Sequence, residues 1–211
     1  MSKKIGKNDL LTENCLNIAV KDLEKAFKEL KNIPPSITIF GSARLKEDNE
    51  YYIKTIEIAK EVSKMGYGII TGGGPGIMEA GNKGANFSIG LNIKLPHEQK
   101  DNPYIKLPLN FNHFFTRKMT FFEHSKAFIV LPGGFGTLDE LFETLVLMQT
   151  KKMKRCPIIL VGSEFFKPMT EMLKMMLKYE CINPEDLNSY IIVDTVEEVM
   201  EELKKELTQL K

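Results

Sequence analysis

The feature that most constrains this chain is a repeating order of a short apolar strand, a turn of small residues and a helical pattern. Three of the strands end in unusual turns: Ile37–Phe40 in Gly41-Ser42-Ala43-Arg44, Tyr67–Thr71 in Gly72-Gly73-Gly74-Pro75-Gly76, and Ala127–Leu131 in Pro132-Gly133-Gly134-Phe135-Gly136-Thr137. Short β-branched strands that alternate with helices are typical of a parallel sheet covered on both faces. We therefore predict an α/β protein built on one doubly wound, Rossmann-like, mostly parallel sheet.

The same periodicity predicts the other elements and a division of the chain. Strands are expected at Ile89–Leu95, with a long loop after it, and at Pro157–Val161 and Ile191–Val193. Helices are expected at Leu10–Lys31, Glu50–Met65, Phe114–Glu123, Glu164–Tyr179 and Thr195–Leu210. One more helix is expected to follow the turn at 132–137 and to end near Lys151. Pro34 and Pro35 end the first helix. We predict a helical extension over residues 1–35 and a nucleotide-binding domain over residues 36–211.

The three unusual turns are expected to meet in one crevice. Right-handed crossovers place every strand-to-helix turn at the same edge of a parallel sheet. In a doubly wound sheet the crevice opens where the strand order reverses. Here that point is expected between Ile37–Phe40 and Ala127–Leu131, with the glycine turn at 72–76 beside it.

Composition narrows the kind of ligand. Lys and Arg number 29 and Asp and Glu 28, which gives a net charge of +1, so counterion release provides no drive toward nucleic acid. We expect a small-molecule ligand and no nucleic-acid partner. Cys15, Cys156 and Cys181 form no CxxC pair, and His97, His113 and His124 are scattered, so no metal site is predicted. We expect no signal peptide and no membrane-spanning segment, because no apolar run of either kind is found, and we expect a cytoplasmic location without a membrane partner.

The glycine-rich turns predict an anion site. A turn of this kind before a helix offers unpaired amides and the positive end of the helix dipole. Neither turn is a standard nucleotide motif: GxGxxG would require glycine at Asp139 or Ile77, and a P-loop would require lysine at Asn82. Two such turns in one crevice nevertheless favour a phosphate or nucleotide site over two merely tight turns.

Two charged residues near these turns each allow two interpretations. Thr137 and Glu140 fit a capping box, in which Glu140 would only satisfy a helix terminus. Alternatively, its carboxylate holds ribose hydroxyls and offsets an oxocarbenium-like charge. Arg117 is either a solvated basic residue, on a helix buried through Phe115, Met119 and Phe122, or a ligand for phosphate or the leaving base.

The motifs resemble those of the LOG ("Lonely Guy") family from about Ser36 to Val193. The residues concerned are Gly41–Arg44, Thr71-Gly72-Gly73-Gly74-Pro75-Gly76-Ile77-Met78-Glu79-Ala80, Arg117-Lys118 and Pro132-Gly133-Gly134-Phe135-Gly136-Thr137-Leu138-Asp139-Glu140. The resemblance implies a phosphoribohydrolase that acts on a purine nucleoside 5′-monophosphate and releases ribose 5-phosphate and a free purine or N6-modified adenine. It implies homodimers or larger homo-oligomers and no cofactor. The family's alternative label, lysine decarboxylase, does not fit, because no lysine with a pyridoxal-phosphate site can be assigned.

The resemblance also implies roles for individual residues. Glu140 and Arg117 match the family's catalytic pair, and Gly133, Gly134, Phe135, Gly136 and Thr137 match its phosphate cradle. Further contacts to the nucleotide are expected from Gly73, Gly74, Ser42, Arg44, Glu79 and Lys118.

Two other classes of function are weighed against the enzyme. The glycine turns also resemble those of molybdenum-cofactor carrier proteins, which bind without turnover. A nucleotide-sensing regulatory subunit would bind purine nucleotide and leave it intact. The presence of both Arg117 and Glu140 favours the enzyme, because a carrier needs only the anion cradle.

Overall fold

A computed structural model describes residues 13–95 and 101–209 as one sheet flanked by helices. The strands are β1 (Ser36–Phe40), β2 (Gly68–Thr71), β3 (Ser88–Ile93), β4 (Leu107–Phe111), β5 (Ser125–Val130), β6 (Ile158–Val161) and β7 (Ile191–Val193). The helices are α1 (Glu13–Leu30), α2 (Glu50–Lys64), α3 (Ile77–Gly84), α4 (Phe114–His124), α5 (Phe135–Gln149), α6 (Ser163–Lys178) and α7 (Val196–Gln209), with a 3₁₀ turn at Pro184–Asn188. None of these helices is long and apolar enough to cross a membrane.

The seven strands lie in the order β4-β3-β2-β1-β5-β6-β7, and every neighbouring pair in the described chain is parallel. The order reverses between β1 and β5, because β2 to β4 extend the sheet in one direction and β5 to β7 in the other. The predicted doubly wound sheet is thus confirmed. The reversal falls at the predicted pair of strands, where a crevice opens at the carboxyl edge.

The sheet packs against its helices through two apolar cores, one on each face. One contains Ile37, Ile39, Ile69 and Ile129 packed against α2, α3 and α7. The other contains the alternate strand side chains, among them Phe40 and Ile70, packed against α1, α4, α5 and α6. Because strand side chains alternate between faces, the continuous apolar runs of the sequence supply both cores.

Strand β4 is absent from the sequence-based prediction, which placed a long loop there. Its pattern LPLNF contains Pro108, which cannot donate a ladder hydrogen bond and argues against a central strand. The strand lies at the edge of the sheet and pairs with β3 alone, with Gly90 opposite Pro108. An edge strand tolerates the missing donor, since only one of its sides is paired.

Helices α1 and α4 leave several of their large apolar residues exposed. Phe115 and Met119 of α4 are exposed, whereas Thr116, Arg117, Thr120 and Phe121 are buried. In α1, Leu16 and Phe27 are exposed, and the buried residues are Ala19, Asp22, Ala26 and Leu30. The predicted burial of Phe115 and Met119 is therefore wrong, and Arg117 does not lie on a solvated edge.

Candidate active site

The turns after β1, β2 and β5 are hydrogen-bonded to one another at the carboxyl edge of the sheet. The Ser42 amide donates to Pro132 O at 3.0 Å, and the Ile77 amide donates to Ser42 O at 2.9 Å. Gly76 has a positive φ of 69° and lies so close to the Ser42 carbonyl that a side chain there would overlap it. The backbone of Ser42 thus joins all three turns, which converge as the sequence predicts.

A buried polar network fixes the turn at 72–76. Asn102 donates from its backbone to Gly73 O at 3.1 Å and from its side chain to Gly74 O at 3.0 Å. The same side chain reaches Asn82 Oδ1, which also accepts from Thr71 Oγ1 at 2.7 Å. Thr71 Oγ1 in turn accepts from the Gly73 amide at 3.0 Å. That amide therefore already has a partner within the protein, whereas Gly73 was predicted to contact the nucleotide.

Arg117 and Glu140 form a buried pair between the β2 turn and helix α5. Arg117 Nη2 lies 3.8 Å from Glu140 Oε1, and the two side chains are only 9% and 14% exposed. The Arg117 Nε donates to Leu91 O at 2.7 Å, and its guanidinium packs where a Cβ on Gly72 would be. The guanidinium carbon also lies 5.3 Å from the centre of the Phe121 ring. The structure thus brings the two predicted catalytic residues together.

Burial dominates the electrostatics of this pair. It raises the pKa of Glu140 to about 7, and the opposing charge of Arg117 offsets only part of the effect. Burial likewise lowers the pKa of Arg117, against the pull of Glu140. At 3.8 Å the two groups attract each other without a direct hydrogen bond. Glu140 is therefore a carboxyl group that can both hold and release a proton near neutral pH.

The capping-box interpretation of Thr137 and Glu140 is wrong. Helix α5 begins at Phe135, its N-cap is Gly134, and no side chain of the described chain bonds that cap. Thr137 already lies inside the first turn, where it is buried against Gly133. The carboxylate of Glu140 faces Arg117 instead.

The loop before α5 is open where a ligand would approach it. A Cβ at Gly134 or Gly136 would meet no atom within 4 Å, and neither glycine has a positive φ. Phe135, between them, is 95% exposed. The first amides of the helix lack carbonyl partners within it. The fold therefore does not require glycine at these two positions. The absence of side chains there leaves the amides accessible to an anion.

Lys118 points to α5. Its Nζ lies 3.1 Å from Asp139 Oδ2 and also pairs with Glu143. Burial alone would lower the pKa of Lys118, but its hydrogen bonds to Glu143 and Asp139 outweigh that effect and raise the pKa. Contact between Lys118 and a nucleotide would compete with these two pairs and stays a prediction.

Arg44 and Glu79 line a separate cleft of about 790 Å³ together with Tyr52, Pro75 and Gly76. Tyr52 is buried and donates to Glu79 Oε1 at 3.0 Å. Burial, and then this hydrogen bond, raise the pKa of Tyr52 above its ordinary value. The Ser42 hydroxyl accepts from the Arg44 amide at 3.0 Å. These three predicted contacts thus surround the β1 turn, and neither Arg117 nor Glu140 lines this cleft.

A larger cavity, of about 860 Å³, lies at the opposite edge of the sheet. It is lined by Pro35, Tyr67, Ser125 and Cys156, each of which lies at the start of a strand or within two residues before it. The special turns and the Arg117–Glu140 pair lie at the carboxyl edge, so the size of this cavity does not identify the site. Within residues 13–95 and 101–209, no three His, Cys, Asp or Glu side chains are grouped as metal ligands.

Sequence reasoning missed three polar residues around the site. Asn102 anchors the glycine turn. Asn92 is 6% exposed, its carboxamide has no hydrogen-bond partner within the described chain, and it lies where a Cβ on Gly73 would be. Asp22 of α1 bonds the start of α4. The signal for Asn92 was available, because an asparagine inside the apolar run SIGLNI is unusual for a buried strand.

Comparison with known sequences identifies related proteins. The sequence model of a family described as "Possible lysine decarboxylase" matches residues 69–203. The cytokinin riboside 5′-monophosphate phosphoribohydrolase LOG of Oryza sativa subsp. japonica is 27% identical over 172 residues, which cover 78% of this chain and 70% of that protein. The cytokinin riboside 5′-monophosphate phosphoribohydrolase of Mycobacterium tuberculosis is 33% identical over 85 residues, which cover 40% of this chain and 45% of that protein.

Solved structures share the fold. The molybdenum cofactor binding protein of Rippkaea orientalis superposes with a TM-score of 0.60 at 20% identity. The match covers 81% of this chain and 96% of that one. At this identity the similarity extends to the architecture of sheet and helices and carries no information about the ligand.

Proposed function

This chain belongs to the LOG family, and we propose that it hydrolyses the N-glycosidic bond of a purine nucleoside 5′-monophosphate. The observation that carries the proposal is the buried Arg117–Glu140 pair, which joins the β2 turn to the helix after the open glycine loop. A cradle that only binds an anion needs no buried carboxylate beside it. A carboxylate with a pKa of about 7 is typical of a group that takes part in chemistry.

The 5′-phosphate is proposed to bind at the start of α5. The amides of Gly134, Phe135 and Gly136 and the helix dipole favour an anion there. The absence of side chains on both glycines lets phosphate oxygens approach the backbone. Glu140 follows the loop on the same helix, so a ribose joined to this phosphate would extend toward the carboxylate.

The proposed reaction breaks the bond between C1′ and the purine nitrogen and forms a bond between C1′ and a water oxygen. Positive charge develops on the ribose as the base departs, and the ionised form of Glu140 stabilises it electrostatically. Glu140 also accepts the proton that water loses at C1′. Glu140 then passes this proton to solvent, and the leaving purine takes up one proton from solvent, so free base and ribose 5-phosphate are formed without net proton change. Arg117 keeps Glu140 oriented and donates hydrogen bonds in the transition state.

The test is to incubate the protein with AMP and follow adenine and ribose 5-phosphate by chromatography, with N6-isopentenyl-AMP as a second substrate. Glu140→Gln keeps the size of the side chain but removes its charge and its basic oxygen. Glu123→Gln, at the exposed end of α4 and lining the opposite edge of the sheet, is the matched control. We expect release of base by the wild type and the control, and loss of about 10²–10⁴-fold in Glu140→Gln.

The outcomes separate the proposal from its alternatives. Release of base by Glu140→Gln at the wild-type rate would remove Glu140 from the mechanism. If the wild type releases no base from either nucleotide, the enzyme proposal fails. A nucleotide- or molybdenum-cofactor-binding carrier without catalysis then becomes the better explanation of the glycine cradle.

A further inference from the structure

A carboxylate from outside the family match holds the start of helix α4. Asp22 of α1 is 8% exposed and lies outside the matched residues 69–203. Its oxygens accept from the Asn112 amide at 2.8 Å and from Asn112 Nδ2 at 2.7 Å. The Thr116 hydroxyl lies within hydrogen-bond distance, at 3.3 Å, and His113 Nδ1 is 3.8 Å away.

These contacts fix Asn112, the residue before the N-cap of α4, and put a carboxylate near a helix start that has no side-chain cap among the described residues. Its N-cap residue, His113, makes no side-chain capping hydrogen bond within the described chain. The unpaired amides and the positive dipole end of a helix are stabilised by a nearby anion. Asp22 provides this anion from a different helix, so the position of α4 depends on how α1 is placed.

The same helix carries the arginine of the proposed site. Thr116, which Asp22 contacts, directly precedes Arg117 on the buried face of α4. The approach of Arg117 to Glu140 is 3.8 Å, longer than a direct hydrogen bond. Arg117 Nε is held by Leu91 O at 2.7 Å, but no hydrogen bond joins the guanidinium to Glu140. Their separation therefore depends on where α4 places the arginine. A displacement of about 1 Å in such a group can lower a rate about 100-fold.

We propose that Asp22 is a positioning residue for the reaction: by fixing the first turn of α4 it places the Arg117 guanidinium against Glu140. This inference rests on the proposed function for its kinetic consequence, but its structural part can be tested separately. The N-terminal helix is then a component of the active-site scaffold and does more than cover the sheet.

The experiment compares Asp22→Asn and Asp22→Ala with Glu24→Gln, which removes one charge from an exposed position of the same helix. For AMP hydrolysis, we expect kcat to fall up to about 100-fold in both Asp22 variants while KM changes little, because Arg117 acts in the transition state. Asp22→Glu, which keeps the carboxylate, should recover part of the loss relative to Asp22→Ala. Glu24→Gln should retain the wild-type kcat and KM.

A second readout is independent of activity. The side-chain carbon of Glu140 can be titrated by ¹³C NMR, with Glu140→Gln used to assign its signal. The charge of Arg117 lowers the pKa of Glu140, so displacement of Arg117 in Asp22→Asn should raise that pKa above about 7. Direct loss of the negative charge of Asp22 would act in the opposite direction, since removing a nearby anion favours ionisation of Glu140.

Each outcome decides the inference. Wild-type kcat together with an unshifted or lowered pKa of Glu140 in Asp22→Asn would overturn it. If the wild type does not hydrolyse AMP, the proposed function fails, and the NMR titration alone then supports or refutes the role of Asp22. If the Asp22 variants do not fold, Asn112→Ala removes one of the contacts at an exposed residue that precedes α4. It should shift kcat and the Glu140 pKa in the same directions, and no shift in either would also overturn the inference.

Discussion

At the scale of single residues, Glu140 lies under two opposing influences. Removal of its carboxylate from water favours the protonated form, and the Arg117 guanidinium favours the ionised form. Burial is the larger influence, and it raises the pKa to about 7. Lys118 does not reverse this, because it is paired with Asp139 and Glu143 and its charge is largely compensated. A carboxylate that is unfavourably ionised in the folded protein costs stability at the pH where it would be needed for catalysis.

This cost predicts how stability depends on pH. The pKa of Glu140 is about 7 in the folded protein and about 4.5 in an unfolded chain. The folded state therefore binds more protons between these values, and the stability that Glu140 contributes is present below pH 4.5 and lost as pH rises through 7. A shift of this size corresponds to a loss on the order of 3 kcal/mol. In urea unfolding from pH 4.5 to 8, the wild type should lose stability relative to Glu140→Gln as pH increases.

The comparison is internally controlled, because the other titrating groups are the same in both proteins. At pH 4.5 the protonated carboxyl group and the amide are nearly equivalent, so their difference reports only the change in side-chain chemistry. Glu123→Gln, an exposed change on α4, should follow the wild-type curve across the range. A constant difference between wild type and Glu140→Gln from pH 4.5 to 8 would show that the fold does not raise the pKa of Glu140.

At the scale of elements, α1 and α4 show why local patterns fail near the site. Their large apolar residues, such as Phe27 and Phe115, predict the buried face, yet these side chains are exposed. The buried face instead holds Asp22, Thr116 and Arg117. Hydrophobic periodicity assumes that apolar side chains lie inward. Periodicity predicts the wrong face where the buried side of a helix carries the polar groups of a site and its apolar groups are exposed.

The sequence was sufficient for the point where the strand order reverses and for the turns, but not for the contacts that hold them. Strand–turn–helix periodicity located the reversal between β1 and β5, because it depends on local spacing and crossover handedness. The hydrogen bonds of Asn102 to Gly73 and Gly74 connect residues about 30 positions apart, for which a single sequence carries no signal. Strand β4 was missed because Pro108 argues against a central strand, and only the edge position of β4 makes a proline acceptable there.

The two glycine turns predict opposite effects of the same substitution. Gly73 has a φ of +74°, and a Cβ would overlap Asn92 Oδ1, so Gly73→Ala should destabilise the protein by at least about 1–3 kcal/mol. Gly136 lies in the first turn of α5 with open space around it, so Gly136→Ala should stabilise by about 0.4–1 kcal/mol. The added methyl group should nevertheless weaken binding of ribose 5-phosphate at least about tenfold, or 1.4 kcal/mol.

Chemical unfolding and isothermal calorimetry with ribose 5-phosphate provide the two measurements. Gly66→Ala is a useful comparison, because Gly66 has a positive φ of 85° but a Cβ added there would meet no atom within 4 Å. It should cost stability through the backbone alone and leave ligand affinity unchanged. Undiminished affinity in Gly136→Ala would place the phosphate away from the start of α5.

At the scale of the whole molecule, apolar side chains that the core does not use lie together on a few helices. Phe114, Phe115 and Met119 of α4 are each more than half exposed, and Leu16 and Phe27 of α1, which packs against α4, are exposed as well. Several large exposed apolar residues on two packed helices favour a protein–protein contact over a solvent-facing surface. The homo-oligomer predicted from the sequence would bury this surface, so we place the expected contact on the outer face of α4.

Sedimentation of the wild type should therefore show a dimer or a larger assembly at micromolar concentration, and Phe115→Glu combined with Met119→Glu should give a monomer. Two desolvated charges in the centre of an apolar contact are strongly unfavourable. Ile53→Glu is the matched control, because Ile53 is also half-exposed but lies on α2, across the sheet. A monomeric wild type, or an assembly that survives the α4 variant and not the control, would contradict this location.

Dissociation is also expected to lower kcat. Arg117 occupies the inner face of the same helix, and loss of the contact would free the outer face of α4, which Asp22 does not hold.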